Sequence, residues 1–348
     1  MKFIANLVKK DPFLVTSIIL LLLIGILVLR SIAPFVFPYY YVFIVLGTLG
    51  FVIFSQIEFE VLKIFKWQIY ILCIVFLIIP LIIGQVTRGA VRWIPIGPLT
   101  LQPSELVRPF LFVFFAAFLT EKAVGIKRMT TMLILLALPL LLILVQPSLG
   151  VTVLTFTGVV GILLASHVNK KLLLTLAILC LISLPIIWFL LAPYQKGRVM
   201  TFLSPQSDPT GAGYNSIQSM ISVGSGRIWG RGLGEGVQTQ LAFLPERHTD
   251  FVFASVAEEL GFAGSIVLII ASFYLLLRII NQLQFTKSLA ARCFIAGMFL
   301  SLFVQTVVHI GMNMGLLPIT GVPLPLVSSG GSSLLATMVG LGIVLSTR

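Results

Sequence analysis

Only eleven of the 348 residues are acidic, so the position of each carboxylate is informative. Asp250 closes the run Leu244-Pro245-Glu246-Arg247-His248-Thr249-Asp250, just ahead of a long apolar segment and after a cation-rich stretch. A carboxylate placed there could take a proton from an attacking hydroxyl as a general base. It could equally cap the helix that follows, where Asp is a favoured residue. Glu105 and Arg108 open another apolar run, three residues apart. On a helix they share a face and can pair, and charge inside a membrane span is normally buried against a partner or a cavity. A structural ion pair and a direct role both remain open for them. Glu258 and Glu259 lie deeper in the segment that Asp250 begins and are read as structural.

On a regular helix, Ala254, Ala257, Gly261 and Gly264 fall within about 40° of Asp250. That stripe of small residues suits close helix packing, the commoner use, or a lipid tail. The run Trp229-Gly230-Arg231-Gly232-Leu233-Gly234-Glu235-Gly236 lacks the Lys-Ser/Thr ending of a phosphate loop, so a tight turn on the membrane surface is expected. His167 and His309 have no partner at metal-ligand spacing. Cys73, Cys180 and Cys293 all fall in apolar runs and read as buried thiols.

The elements that must position these groups follow from composition. Apolar residues make up 58% of the chain and charged residues 10%, and mean hydropathy is +1.12. Soluble domains carry roughly 25% charge, so a soluble enzyme, a disordered chain and a disulfide scaffold are excluded. The reading is an all-α polytopic membrane protein, one integral membrane domain over 1–348. Its ten transmembrane helices lie at about 13–30, 39–56, 67–84, 105–120, 131–146, 149–167, 172–192, 251–278, 293–316 and 326–346. The first, after Lys2, Lys9 and Lys10, is read as an uncleaved span rather than a signal peptide. The net charge of +12 reports orientation rather than a nucleic-acid partner, because Lys and Arg sit between the spans. With the N-terminus inside, fourteen of the 23 cations are cytoplasmic, and five of the other nine lie in one long loop. The positive-inside rule therefore places both termini in the cytoplasm. A long extracytoplasmic loop, 193–250, separates helices 7 and 8 and is the only long stretch without a helix pattern. Trp229, Phe202, Tyr214 and Phe243 should pack it on the membrane face. A second outer segment, 85–104, carries Arg88, Arg92 and Trp93. Asp11, Glu58, Glu60 and Glu121 read as solvated charges on the inner side, which leaves the outer face for chemistry.

Taken in order, several motifs resemble the shape, elongation, division and sporulation family, whose members include RodA and FtsW. They are Arg92-Trp93, Gln102-Pro103-Ser104-Glu105, Gln146-Pro147-Ser148-Leu149-Gly150, and Gly213-Tyr214-Asn215 with Gln218-Ser219. Leu244 to Asp250 with Glu258-Glu259, Gly321-Val322-Pro323-Leu324-Pro325 and Ser328-Ser329-Gly330-Gly331 complete the series and look more like the RodA branch. The resemblance covers essentially the whole chain. It implies a peptidoglycan glycosyltransferase of the bacterial cytoplasmic membrane that polymerises lipid II into β-1,4 glycan for cell elongation and shape. Asp250 matches the family's proposed catalytic aspartate, acting on the acceptor 4-hydroxyl by a single inverting displacement. Undecaprenyl pyrophosphate would leave beside Arg92, Lys196, Arg198 and Arg247, with His248, Gln218 and Ser219 as further substrate contacts. Glu105, Arg108, Glu258 and Glu259 would support the site, and a divalent cation, Mg2+ or Mn2+, could assist the departing pyrophosphate. Implied partners are undecaprenyl-linked glycan, a class B penicillin-binding protein (a transpeptidase) and other membrane proteins of the elongation machinery.

Four positions depart from the family pattern: Arg108 for Lys, Ser148 for Asp, His309 for Asn and Ser329 for Tyr. Ser148 puts any carboxylate role there in doubt. The competing readings are a flippase for lipid-linked precursors, which needs polar groups continuous across the bilayer, and a non-catalytic scaffold for a penicillin-binding protein.

Overall fold

The computed structural model describes residues 10–83, 92–97, 99–207, 210–211 and 213–348, so the segment around Arg88 lies outside the described residues. Among the described residues ten helices overlap the ten predicted spans. They are α1 (Pro12–Ile32), α2 (Phe37–Phe54), α4 (Lys66–Ile83), α5 (Pro103–Thr120), α6 (Ile126–Val145), α7 (Leu149–Ala165), α8 (Lys170–Leu190), α12 (Val252–Asn281), α13 (Leu289–Asn313) and α14 (Gly331–Ser346). Among the described residues α1, α2, α4, α5, α6, α12 and α13 are long and apolar enough to cross a membrane, while α7 and α14 are shorter apolar helices. A short helix, α3 (Phe59–Ile64), joins α2 to α4, and an antiparallel pair, β1 (Ile94–Ile96) with β2 (Leu99–Leu101), leads into α5.

Helix α5 is the hub. It packs against α4, α7, α13 and α14, and Leu111, Phe112, Val113, Phe114, Phe115, Ala116 and Ala117 are fully buried. A helix that is apolar all round belongs inside a bundle. Pro103 at its first turn needs no N–H partner. Helices α7 and α13 approach closely because Gly161 and Gly297 carry no side chain; a Cβ on Gly161 would stand 2.6 Å from the Ala296 carbonyl. Helix α8 is different: Leu174, Leu181, Ile182 and Phe189 are all exposed. Cys180, expected to be buried, is exposed there, whereas Cys73 and Cys293 are buried as read.

The 193–250 connection corrects the expectation of a non-helical loop. It folds as α9 (Pro193–Leu203), α10 (Tyr214–Ser225) and α11 (Val237–Gln240). Trp229 and Phe243 are exposed. The glycine run is neither a phosphate loop nor a simple surface turn, because it fills a break in α12. Gly261 there has φ 69° and ψ −164°, a conformation that favours glycine. The helix loses the bonds by which Phe262 and Ala263 would reach Glu258 and Glu259, and the run replaces them. Arg231 N–H donates to the Glu258 carbonyl (2.9 Å) and Gly232 N–H to that of Glu259 (3.1 Å). Phe262 and Ala263 donate instead to Arg227 and Ile228 (2.8 and 3.0 Å). Four bonds to the loop thus satisfy the buried backbone groups that the kink exposes.

The two carboxylates before the break hold the same segment. Glu258 accepts from the N–H groups of Gln238 (2.8 Å) and Thr239 (3.0 Å) at the start of α11. Glu259 Oε1 accepts from Ser31 Oγ (2.7 Å), Gly234 N (3.1 Å) and Gln240 Nε2 (3.0 Å). The small-residue stripe corrects the alternative of a slot for a lipid: Ala254 and Ala257 are buried, and a Cβ on Gly226 would stand 1.7 Å from the Ala257 carbonyl. Beyond Gly261 the helix no longer continues in register with Asp250.

Candidate active site

Helix α12 begins at Val252, two residues after Asp250. The cap position belongs to Phe251, whose own side chain makes no capping bond. The N–H groups of Thr249, Asp250 and Phe251 all converge on the Glu246 carbonyl (3.0, 3.1 and 3.3 Å), which closes a tight turn ahead of the helix. Capping is done from another helix. Asn313, fully buried at the end of α13, accepts from Ala254 N–H through Oδ1 (3.0 Å). Its Nδ2 donates to the Asp250 carbonyl (3.0 Å) and the His309 carbonyl (2.7 Å). Its own carbonyl accepts from Ser219 Oγ of α10 (2.8 Å). The segment before α14 grips the turn from the other side. Ser328 Oγ donates to the Thr249 carbonyl (2.7 Å), while Ser329 donates to that of His248 through both N–H (3.0 Å) and Oγ (2.8 Å). The backbone of 248–250 is therefore fixed, and the Asp250 side chain is half-buried.

That side chain faces a cavity of about 250 Å³. Among the described residues two cations, Arg92 and Arg198, line it, as do three carboxylates, Glu105, Glu246 and Asp250. Asp250 Oδ2 lies 3.4 Å from where a Cβ on Gly321 would stand, so the glycine keeps that wall close to the carboxylate. Gln102 and Ser148 also line the cavity, joined by a bond from Gln102 Nε2 to Ser148 Oγ (3.2 Å), and Gln102 N–H donates to Ser332 Oγ (2.8 Å).

The sequence places the other candidates less well. Lys196 donates to the Phe189 carbonyl (3.1 Å), and Arg247 Nε donates to that of Ile32 (3.1 Å); neither lines the cavity. His248 packs edge-on against Phe35, ring centroids 5.5 Å apart. It lies outside the lining, as do Gln218 and Ser219. No ion pair joins Glu105 to Arg108. Glu105 lines the cavity, whereas buried Arg108 donates to Gln305 Oε1 (2.9 Å), whose Nε2 donates to the Pro323 carbonyl (2.9 Å). Arg108 thus tethers the 321–325 segment that walls the cavity. His309 holds the same segment: its Nδ1 carries a proton donated to the Val322 carbonyl (2.7 Å). Among the described residues no three His, Cys, Asp or Glu side chains come together as a metal site.

Sequence reasoning missed Asn313, Gln195 and Ser332. A signal for Asn313 was present: Gln305, His309 and Asn313 recur every fourth residue along an otherwise apolar helix, and all three are fully buried. That spacing marks one polar face.

Comparison with known proteins agrees with this architecture. Residues 12–348 match the family described as cell cycle protein, the group of FtsW, RodA and SpoVE. Peptidoglycan glycosyltransferase MrdB of Escherichia coli (strain K12) is 40% identical over 306 residues, 87% of this chain and 83% of that protein. A probable peptidoglycan glycosyltransferase FtsW from Aeromonas salmonicida (strain A449) is 35% identical over 80% of this chain and 74% of its own length. Among solved structures, a chain from work on coordinated polymerization and crosslinking by a peptidoglycan synthase complex superposes with a TM-score of 0.83, at 31% identity and 96% coverage of both chains. The Thermus thermophilus rod shape determining protein RodA gives a TM-score of 0.71 at 27% identity, covering 96% of this chain and 94% of that one.

Proposed function

The chain belongs to the FtsW, RodA and SpoVE family of cell cycle proteins and is a multi-pass membrane peptidoglycan glycosyltransferase; from that premise we infer that its catalytic centre is the Asp250 cavity. The observation that carries this reading is the convergence of Asp250, Glu105, Arg92 and Arg198 on one cavity. Asp250 takes the proton from the 4-hydroxyl of an incoming lipid II as that oxygen attacks the anomeric carbon of the growing glycan. The bond to undecaprenyl pyrophosphate breaks in the same displacement, with inversion, so no enzyme nucleophile is needed. Arg92 and Arg198 hold the departing pyrophosphate. Glu105 lies beside the site on α5, and Arg108, Asn313 and His309 keep its walls in place. Lys196, Arg247, His248 and Ser219 act at a distance through the segments they tie down, and Gln218 lies outside the cavity lining. Glu258 and Glu259 support the same region from the kink.

The charge bias between spans supports cytoplasmic termini and a cavity on the outer face of the bacterial cytoplasmic membrane. Cysteine labelling should reach residues near Gly213 from outside and those near Lys127 from inside. The flippase alternative draws no support from the buried apolar run Leu111–Ala117 below Arg108, because a polar headgroup crossing there would lose its hydrogen bonds. A class B penicillin-binding protein is the proposed partner, since one structural neighbour comes from a peptidoglycan synthase complex. The deciding experiment is purified protein with lipid II, with and without that partner, resolved for glycan on a gel. A ladder of products is expected. No polymer from folded protein plus partner would overturn the reading.

A further inference from the structure

A second cavity, of about 290 Å³, lies beside the first. Its walls differ in kind: Thr201, Phe202, Ser216, Leu317, Pro318 and Ile319 surround it, and among the described residues Arg198 is the only ionised side chain in its lining. Arg198 lines both cavities. It is fixed at their junction by a bond from Nη1 to the Ile319 carbonyl (3.2 Å). Two elements run past this point from one cavity to the other. On α9, Gln195 lines the first cavity, Arg198 both, and Thr201 and Phe202 the second, the three- and four-residue spacing of a single helix face. The chain at 317–321 does the same, with Leu317 to Ile319 on the apolar side and Thr320-Gly321 on the polar side.

A polar chamber and an apolar chamber that share one guanidinium match a molecule whose charged head continues directly into a hydrocarbon chain. We propose that the second cavity holds the first isoprene units of the polyprenyl diphosphate donor, with Arg198 at the phosphate between chain and sugar. This rests on the polymerase reading of the first cavity and adds where the donor's lipid leaves it. The chain then passes Met200 and Leu203, exposed apolar residues of α9, toward the exposed face of α8. A free phosphate or a sugar headgroup alone would gain nothing from the apolar walls, because burial of hydrocarbon is what such walls favour.

Two measurements test this. The first reads lipid binding without turnover: p-benzoylphenylalanine replaces Phe202 in an Asp250→Asn background, and radiolabelled lipid II is added under illumination. A crosslink competed by undecaprenyl phosphate is expected, and its absence would overturn the proposal. The second fills the cavity with Thr201→Trp. KM for undecaprenyl lipid II should rise about tenfold, the equivalent of roughly two buried methylenes lost, with kcat little changed. KM for an analogue with a methyl group in place of the isoprenoid chain should stay constant. An equal rise for both substrates, or none for either, would count against the pocket. If wild-type protein with its partner made no polymer yet captured lipid at position 202, the polymerase reading would fail and the lipid site would stand.

Discussion

Asp11 and Asp250 each stand just ahead of a long apolar helix, and the fold treats the two carboxylates in opposite ways. Asp11, expected on the sequence to be a solvated surface charge, is buried. It caps α1 by accepting from Leu14 N–H (3.0 Å). Arg278 reaches both of its oxygens (3.0 and 2.9 Å), and Gln282 and Arg348 (3.2 Å) donate to Oδ2. Its lone pairs are consumed in joining α1 to the far end of α12 and to the last residue after α14. Asp250 stands at the other end of α12, where Phe251 holds the cap position. Its backbone is held by Asn313 and the serines before α14, while the carboxylate is turned into a cavity with Arg92 and Arg198. A carboxylate saturated by donors is a fastener. One whose main chain is clamped and whose side chain faces a cavity is positioned for proton transfer.

The comparison breaks most easily at Asp250. Asp250→Asn should lower lipid II polymerisation by roughly 10²- to 10⁴-fold, the usual contribution of a general base, while thermal unfolding in detergent stays within about 1 kcal/mol of wild type. Even Asp250→Ala should fold, because Asn313, Ser328 and Ser329 hold the turn through its main chain. Unfolding of either variant would place Asp250 in the same class as Asp11, and near-normal polymerisation by either would remove the base.

Asp11→Ala should show the converse pattern. Removing one partner of a buried ion pair costs about 3–5 kcal/mol, and here Arg278 and Arg348 both lose theirs. Unfolding temperature should fall clearly, with specific activity of the folded fraction unchanged. A variant that kept its stability but lost activity would reverse the assignment of the two carboxylates.

Asn313 sharpens the contrast at lower amplitude. Asn313→Ala leaves the Ala254 N–H and the Asp250 carbonyl without their partner, at about 1–3 kcal/mol for a buried group left unsatisfied. Asn313→Asp keeps the acceptor for Ala254 but loses the donor to Asp250. If the donor positions the base, both variants should lower kcat by about tenfold, with the Asp variant closer to wild type in stability. Equal stability losses with unchanged kcat would make Asn313 a cap and nothing more.

Which parts of this were legible follows from range. The ten spans could be read because an apolar run of that length carries its own signal within a single window, and Asp250, Arg92 and Arg198 could be picked out as charges beside such runs. The break at Gly261 could not, because its cause is a glycine run some thirty residues upstream that docks only in three dimensions. The same limit explains Lys196 and Arg247. Their charge and loop were plain, but not that each long side chain would end on a backbone carbonyl away from the cavity. Glu105 and Arg108 share a helix face as their spacing requires, yet Gln305 on another helix offers Arg108 the contact it takes.

The smallest effect concerns pH and isolates Asp11 outside the span it begins. Burial alone would raise its pKa. The Leu14 N–H, Arg278 and Gln282 outweigh that and hold the carboxyl below its ordinary value. A carboxylate with a depressed folded-state pKa contributes stability above its unfolded value and loses it as pH falls through the folded one. The stability gap between wild type and Asp11→Asn should therefore stay constant from neutral pH down to about pH 5 and narrow only below about pH 4. Glu60 and Glu121 are also held low, by Lys63 and by Lys66 respectively, but both are present in either protein and cancel in the difference. The measurement is a pair of unfolding-temperature profiles between pH 3 and 7 in one detergent. A gap that closed between pH 7 and 5 would mean that burial dominates, that Asp11 is protonated in the fold near neutrality, and that its cations do not hold it as the geometry indicates.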